Sequence, residues 1–165
     1  MSVAREQFIG AMRRVANSVS IVTTDGPEGR HGATVSAFCS VSADPPTVLV
    51  CLRADSRIAR VARANGDFCV NVLRDLAEGL AERFAGRSDE SALDRFSGVE
   101  TIEGAGPSPV LVEAAAAFGC TLADVVESGS HLILVGRVTR VHANADRPLA
   151  YFDGRYGSVV AHVSS

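Results

Sequence analysis

Between Gly32 and Ser42 the chain reads GATVSAFCSVS, with hydroxylated Thr34, Ser36, Ser40 and Ser42 alternating with apolar Val35, Ala37, Cys39 and Val41. Successive side chains of a strand point to opposite faces, so one face here is polar yet uncharged. A flat heteroaromatic ring can lie close against such a ledge, its edge read by backbone N–H and C=O groups. Pattern alone favours the plainer reading, an edge strand with a solvated Ser/Thr face. Asp55-Ser56-Arg57 opens a helix. Ser56 is a good N-cap, the free N–H groups of a helix start attract anions, and Arg57 adds a fork that fits phosphate. The commoner alternative is an ordinary cap with a solvated arginine. Arg83 beside Phe84 is a second anion candidate, or an exposed Arg next to a core Phe. His131 follows a Ser-Gly-Ser turn at the mouth of an apolar strand. A neutral imidazole there can hydrogen-bond a carboxamide or a ring edge, although a lone His is more often structural. His31, His142 and His162 read as solvated loop or strand positions.

Other chemistries lack their residues. No G-x-G-x-x-G follows a strand and opens a helix, because Pro107 and Pro109 forbid a helix after Gly104-Ala105-Gly106. A phosphate loop ending in G-K-[ST] is ruled out, since all 16 basic residues are Arg. No G-x-S-x-G nucleophile elbow is present. Cys39, Cys51, Cys69 and Cys120 form no C-x-x-C pair and lie in apolar, strand-like runs. They read as free buried thiols in a reducing compartment, with no metal site.

The elements that must hold these residues follow from periodicity. Residues 5–16 place Phe8, Ile9, Met12, Val15 and Ala16 at helical spacing. An alternating, β-branched strand follows over 18–24, then a turn over 25–29 and a strand over 32–42, which Asp44-Pro45-Pro46 must end. Residues 47–52 read as a fully buried strand, 56–64 as a short helix stopping near Asn65-Gly66, and 68–73 as another strand. A helix is expected over 76–86, and a helical turn or mobile segment over 89–96. Residues 114–127 and 131–143 pair as a long hairpin, and 148–162 form a partly irregular tail. Strands arrive as consecutive hairpins, which points to an antiparallel barrel with helices attached.

The chain has 165 residues, 47% hydrophobic and 21% charged, with a net charge of −3. That suits one globular domain over 1–165. No basic block could track a phosphate backbone, so nucleic acid is not an expected partner. No apolar run reaches the ~20 residues of a membrane span. The N-terminus carries charge where a secretion signal needs an apolar stretch. A cytoplasmic protein is expected.

Taken in order, FIGAMRRVANSVSIVTT, GATVSAFCSVSADPPTVLVCL, ADSRIARVARANGDFCVNVL, LAERFAG, DRF, GSHLILVGRV and PLAYFDGRYG resemble the short-chain flavin reductase family. Its members are the reductase components of two-component flavin monooxygenases. The resemblance runs from about Phe8 to Gly157. It implies a mainly β, Greek-key-like split β-barrel that binds FMN and carries a few peripheral helices, with flavin held at a homodimer interface. It also implies a hydride transfer from NADH or NADPH to FAD or FMN, and a partner monooxygenase supplied by diffusing reduced flavin. By the resemblance, Thr34, Val35, Ser36 and Ala37 line the flavin ring, and Cys51 and Leu52 flank it. Ser56 and Arg57 hold its phosphate, with Arg83 and Phe84 near phosphate and ribityl chain. His131 stands on the nicotinamide side as the catalytic residue, with Tyr156 beside the nucleotide. Three departures leave the choice of flavin and of nucleotide open. Ala37 stands where many relatives have Asn. Arg53, Arg57 and Arg60 replace the Lys residues usual near the phosphate loop. Gly-Ser-His replaces the commoner Gly-Asp-His. Two rivals stay open: a split-barrel flavoprotein holding its flavin tightly for another substrate, and a non-enzymatic barrel binding some other planar ligand.

Overall fold

The computed structural model describes residues 2–86 and 94–163. The chain runs α1 (Arg5–Met12), β1 (Asn17–Ser18), β2 (Ser20–Thr24), β3 (His31–Val35), β4 (Phe38–Ala43), β5 (Pro46–Arg53) and α2 (Arg57–Asn65). It continues β6 (Asp67–Leu73), α3 (Glu78–Phe84), β7 (Ala114–Ser128), β8 (His131–Ala143), β9 (Leu149–Phe152) and β10 (Arg155–Ser158). Seven strands form one antiparallel sheet in the order β3-β2-β6-β7-β8-β5-β4, and β1, β9 and β10 form a small second sheet.

The sheet order explains the barrel. β3 and β4 are its two outer edges, yet only Ser36 and Ala37 separate them in sequence. The sheet must therefore curl until its edges nearly meet. Register shifts between Gly119 and Cys120 and between Leu122 and Asp124 help to bend the long β7–β8 hairpin. The seam between β3 and β4 is not closed by a ladder. This is the split barrel implied by the resemblance, and it corrects the single strand expected over 32–42. Ser40 and Ser42 go to the far edge with β4, and Ser42 Oγ accepts from the Asp44 N–H at 3.1 Å. They do not extend the Thr34–Ser36 ledge.

Two strands exchange their expected burial. β2 is buried along its whole length. Val22 packs in the barrel core with Val50, Phe68, Val70, Leu134 and Ile58 of α2. Ile21 faces the opposite way, into a second core with Leu73, Phe84, Phe96, Leu111 and Leu149. β5 buries Val48, Val50 and Leu52 in the barrel core, while Thr47, Leu49 and Cys51 on its other face are only half-buried. Both hairpin strands β7 and β8 form as expected.

Helix α1 stops at Met12, short of residue 16, and buries no residue. Helix α3 begins at Glu78, and Leu76 before it is exposed. The 148–162 tail is more regular than expected, since it supplies β9 and β10. Most of the segment read as a helical turn or mobile stretch, residues 89–93, lies outside the described residues; 95–98 form a turn. The thiols are less uniformly buried than expected, because Cys39 on the edge strand is exposed. Among the described residues no helix is long and apolar enough to cross a membrane.

Candidate functional site

β5 delivers the chain directly to helix α2. Ser56 caps that helix by accepting from the Ala59 N–H at 3.3 Å, while its hydroxyl donates to the Arg53 carbonyl at 2.6 Å. Gly66, with φ +71°, ends the helix in the left-handed conformation that glycine adopts without penalty. The Ala54 N–H donates to the Ser130 carbonyl at 2.9 Å, so the start of α2 is tied to the β7–β8 turn. His131 is the cross-strand partner of Arg53. Two places far apart in sequence thus meet at one rim.

Opposite them lies the end of β3. Gly32 lets it approach α3 closely: a Cβ there would stand 2.7 Å from the Phe84 ring. The Thr34 hydroxyl donates to the Ala81 carbonyl at 2.6 Å, so it anchors β3 to α3. What Thr34 shows the open side is therefore its methyl and backbone.

Between these walls is a cleft of about 990 Å³. It lies at the upper end of ordinary ligand pockets, roughly 300–1,000 Å³. Of the residues singled out in the sequence, Thr34, Val35, Ser36, Ala37, Cys51, Leu52, Ser56, Arg57, Phe84 and His131 all line it. Arg83 does not. It borders a neighbouring groove, where its guanidinium donates to the Ser97 carbonyl at 2.6 Å. Tyr156 sits behind the ledge in a small cavity that Val35 and Ser36 also line, with its hydroxyl donating to Glu82 at 2.5 Å.

The structure adds cleft residues that the sequence reading passed over: Arg30, His31, Asp94, Arg95 and Phe96. Arg30 pairs with Asp94 at 2.8 Å and stacks over the Phe96 ring, 4.6 Å from its centroid. Arg53 pairs with Asp55 at 2.7 Å and holds that carboxyl below the usual carboxylate range. Arg95 donates to the Gly32 and Phe84 carbonyls. The Arg57 side chain makes no hydrogen bond or ion pair among the described residues. Among the described residues, Arg57 and Arg95 of the cleft lining thus have no carboxylate partner. His31 is half-buried, and its pKa is lowered to about 4, first by burial and then by Arg95, Arg57 and Arg60. Placing it among solvated histidines is thus corrected. Its one sequence signal is period two, which sets it on the same face as Ala33 and Val35.

Beside the α2 start Ser130 Oγ and His131 Nδ1 lie 2.9 Å apart, and among the described residues the Nε2 atom has no hydrogen-bond partner. Burial, together with the neighbouring Cys39, raises the Cys51 thiol pKa, so it lines the wall as a neutral group. Among the described residues no cluster of His, Cys, Asp or Glu is placed to hold a metal ion. The arrangement can take a flat ring with polar edges on the ledge and an anionic tail at the α2 start.

Comparison with known proteins follows the same lines. The family model of the flavin reductase like domain matches residues 12–159. The chain is 42% identical to the FMN reductase (NADH) RutF of Ancylobacter novellus over 159 residues, 96% of this chain and 87% of that one. Among solved structures it is similar to the NADH:FAD oxidoreductase SgcE6 of Streptomyces globisporus in complex with NAD and FAD fragments. There the TM-score is 0.87 at 28% identity, covering 97% of this chain and 95% of the other. It is also similar to the styrene monooxygenase flavin reductase of Pseudomonas putida, with a TM-score of 0.83 at 28% identity over 95% and 99% of the two chains.

Proposed function

The chain belongs to the flavin reductase like domain family and is an NADH-dependent flavin reductase; we propose that the cleft is where it works, on flavin that leaves reduced for a partner monooxygenase. One observation carries the placement. The uncharged ledge at 34–37 and the cationic start of α2 open onto the same cleft, so a ring and its phosphate tail find complementary surfaces at once.

The residues present fit such a group. Val35, Ser36 and Ala37 offer small side chains and backbone to the ring, with Cys51 and Leu52 along its flank. The capped α2 start and Arg57 hold the phosphate, with Phe84 beside the chain that joins it to the ring. His131 presents Nε2 from the rim to the nicotinamide. Tyr156 acts from behind the ledge, and Arg83 has the weaker claim, since its guanidinium serves Ser97. Bound flavin supplies the redox chemistry by accepting a hydride, so the protein needs no acid–base pair. Its own task is to keep the two rings in register and dry.

Release to an oxygenase is favoured by an open cleft and by the likeness to a styrene monooxygenase reductase. A homodimer is favoured by α1. An isolated helix under about 12 residues is marginal in water, yet α1 has eight and buries none. Its Phe8, Ile9 and Met12 border a groove that also reaches Ser36 of the ledge. A second copy seated there would complete the flavin berth. Four free cysteines and an NADH requirement suit the reducing cytoplasm.

The test is NADH consumption followed by its near-ultraviolet absorbance, with FMN, FAD or riboflavin added. Multiple turnovers that scale with added FMN or FAD are expected. A yellow protein that consumes no NADH when free flavin is added would overturn flavin release.

A further inference from the structure

His31 lines the cleft together with Arg30, Arg57 and Arg95. It opens β3 opposite the uncharged Thr24 of β2. Arg57 of α2 and Arg95 of the 95–98 turn line the same cleft as His31, and their charges, with that of Arg60, disfavour its protonation. Arg30 precedes it in the chain and is matched by Asp94. Among the described residues, α3 and its C-cap contribute the apolar Phe84 and Ala85 to the cleft.

Like charges this close repel one another, and another permanent cation would add to the repulsion before any ligand arrived. Histidine avoids that cost. Burial and the arginines lower its pKa to about 4, so it is neutral at neutral pH and still offers an N–H. A phosphate dianion reverses the balance, because it screens the arginines and attracts a proton to the imidazole.

We infer that His31 is a proton-linked phosphate ligand of the cleft: it donates a hydrogen bond to the phosphate of a phosphorylated flavin and takes up a proton from solvent as that phosphate binds. The inference rests on the cleft being the flavin berth. It names a ligand class, phosphate-bearing flavins, that His31 separates from riboflavin, and it makes affinity for that class rise as pH falls. One proton taken up changes affinity by at most about tenfold per pH unit.

The experiment uses the full chain, with FMN and riboflavin as probes. Fluorescence quenching first establishes binding of each. Calorimetry in buffers of differing ionisation enthalpy, near the ordinary histidine pKa, then counts protons for the wild type and for His31→Gln. Glutamine keeps a donor of similar length and cannot titrate. The phosphate itself titrates near pH ~6, but that contribution is common to both proteins and cancels in the difference. With FMN, the wild type should take up more protons than the variant, by an amount approaching one. With riboflavin the two should agree. Equal counts with FMN bound to both proteins would overturn the role of His31 and leave the flavin berth standing. Failure of the wild type to bind either flavin would overturn both. Should the variant not fold, the His31 ring can be titrated by NMR in the wild type. A pKa that rises on adding FMN supports the inference, and one that stays near its free value overturns it.

Discussion

At the residue scale, His31 also links the site to stability. Its pKa is about 4 in the folded protein against 6.5 when unperturbed. Between those values the unfolded chain binds the proton and the folded chain does not, so stability rises with pH across that window. The contribution is complete above about pH 6.5 and is lost progressively as pH falls toward 4. Melting temperature followed from pH 7 down to 4 should therefore fall more steeply in the wild type than in His31→Gln. Parallel curves would show that His31 is not held neutral by its surroundings. The sequence made Ser56, Arg57 and His131 legible because each stands at an element boundary whose chemistry is local: a cap, a helix start, a strand mouth. Arg30, His31 and Arg95 were not legible. They meet only because Arg30 pairs with Asp94 and Arg95 donates to the Gly32 carbonyl, which brings the start of β3 and the 95–98 turn together at the cleft.

At the element scale, the fit between β3 and α3 sets the shape of the cleft. Gly32 faces the Phe84 ring so closely that an added Cβ would stand 2.7 Å from it. Phe84 is fully buried and packs edge-on against Phe96 at 5.0 Å between centroids, so it has little freedom to yield. Gly32→Ala should cost about 1–3 kcal/mol, the usual range for overpacking, read as a lower denaturant midpoint. It should also weaken flavin binding, since Phe84 lines the cleft. Unchanged stability would mean that the ring moves freely. Helix α2 and the β7–β8 hairpin could be read in advance, because a Ser cap and a glycine stop bound the one, and two long runs about a Ser-Gly-Ser turn mark the other. The break at Ser36–Ala37 could not. Nothing in that run of small residues marks the point where the chain leaves one sheet edge for the other. β9 and β10 were obscured by their four-residue lengths and by the glycines among them.

At the scale of the whole molecule, the unburied α1 is the feature a single copy does not account for. Phe8 is 59% exposed and Met12 45%. Phe8→Glu should convert a two-chain particle to one chain by light scattering and should weaken FMN binding, because Ser36 borders both the α1 groove and the cleft. A wild type that is monomeric at all concentrations would contradict this. The central claim is that the ledge and the α2 start form one berth, with Arg57 on the phosphate. Its most direct test is the dissociation constants of FMN and riboflavin for the wild type and Arg57→Ala. Loss of a charged hydrogen bond of about 1.5–3 kcal/mol should weaken FMN binding by roughly 10- to 100-fold and leave riboflavin unchanged. Equal effects on both flavins, or none on either, would contradict the account.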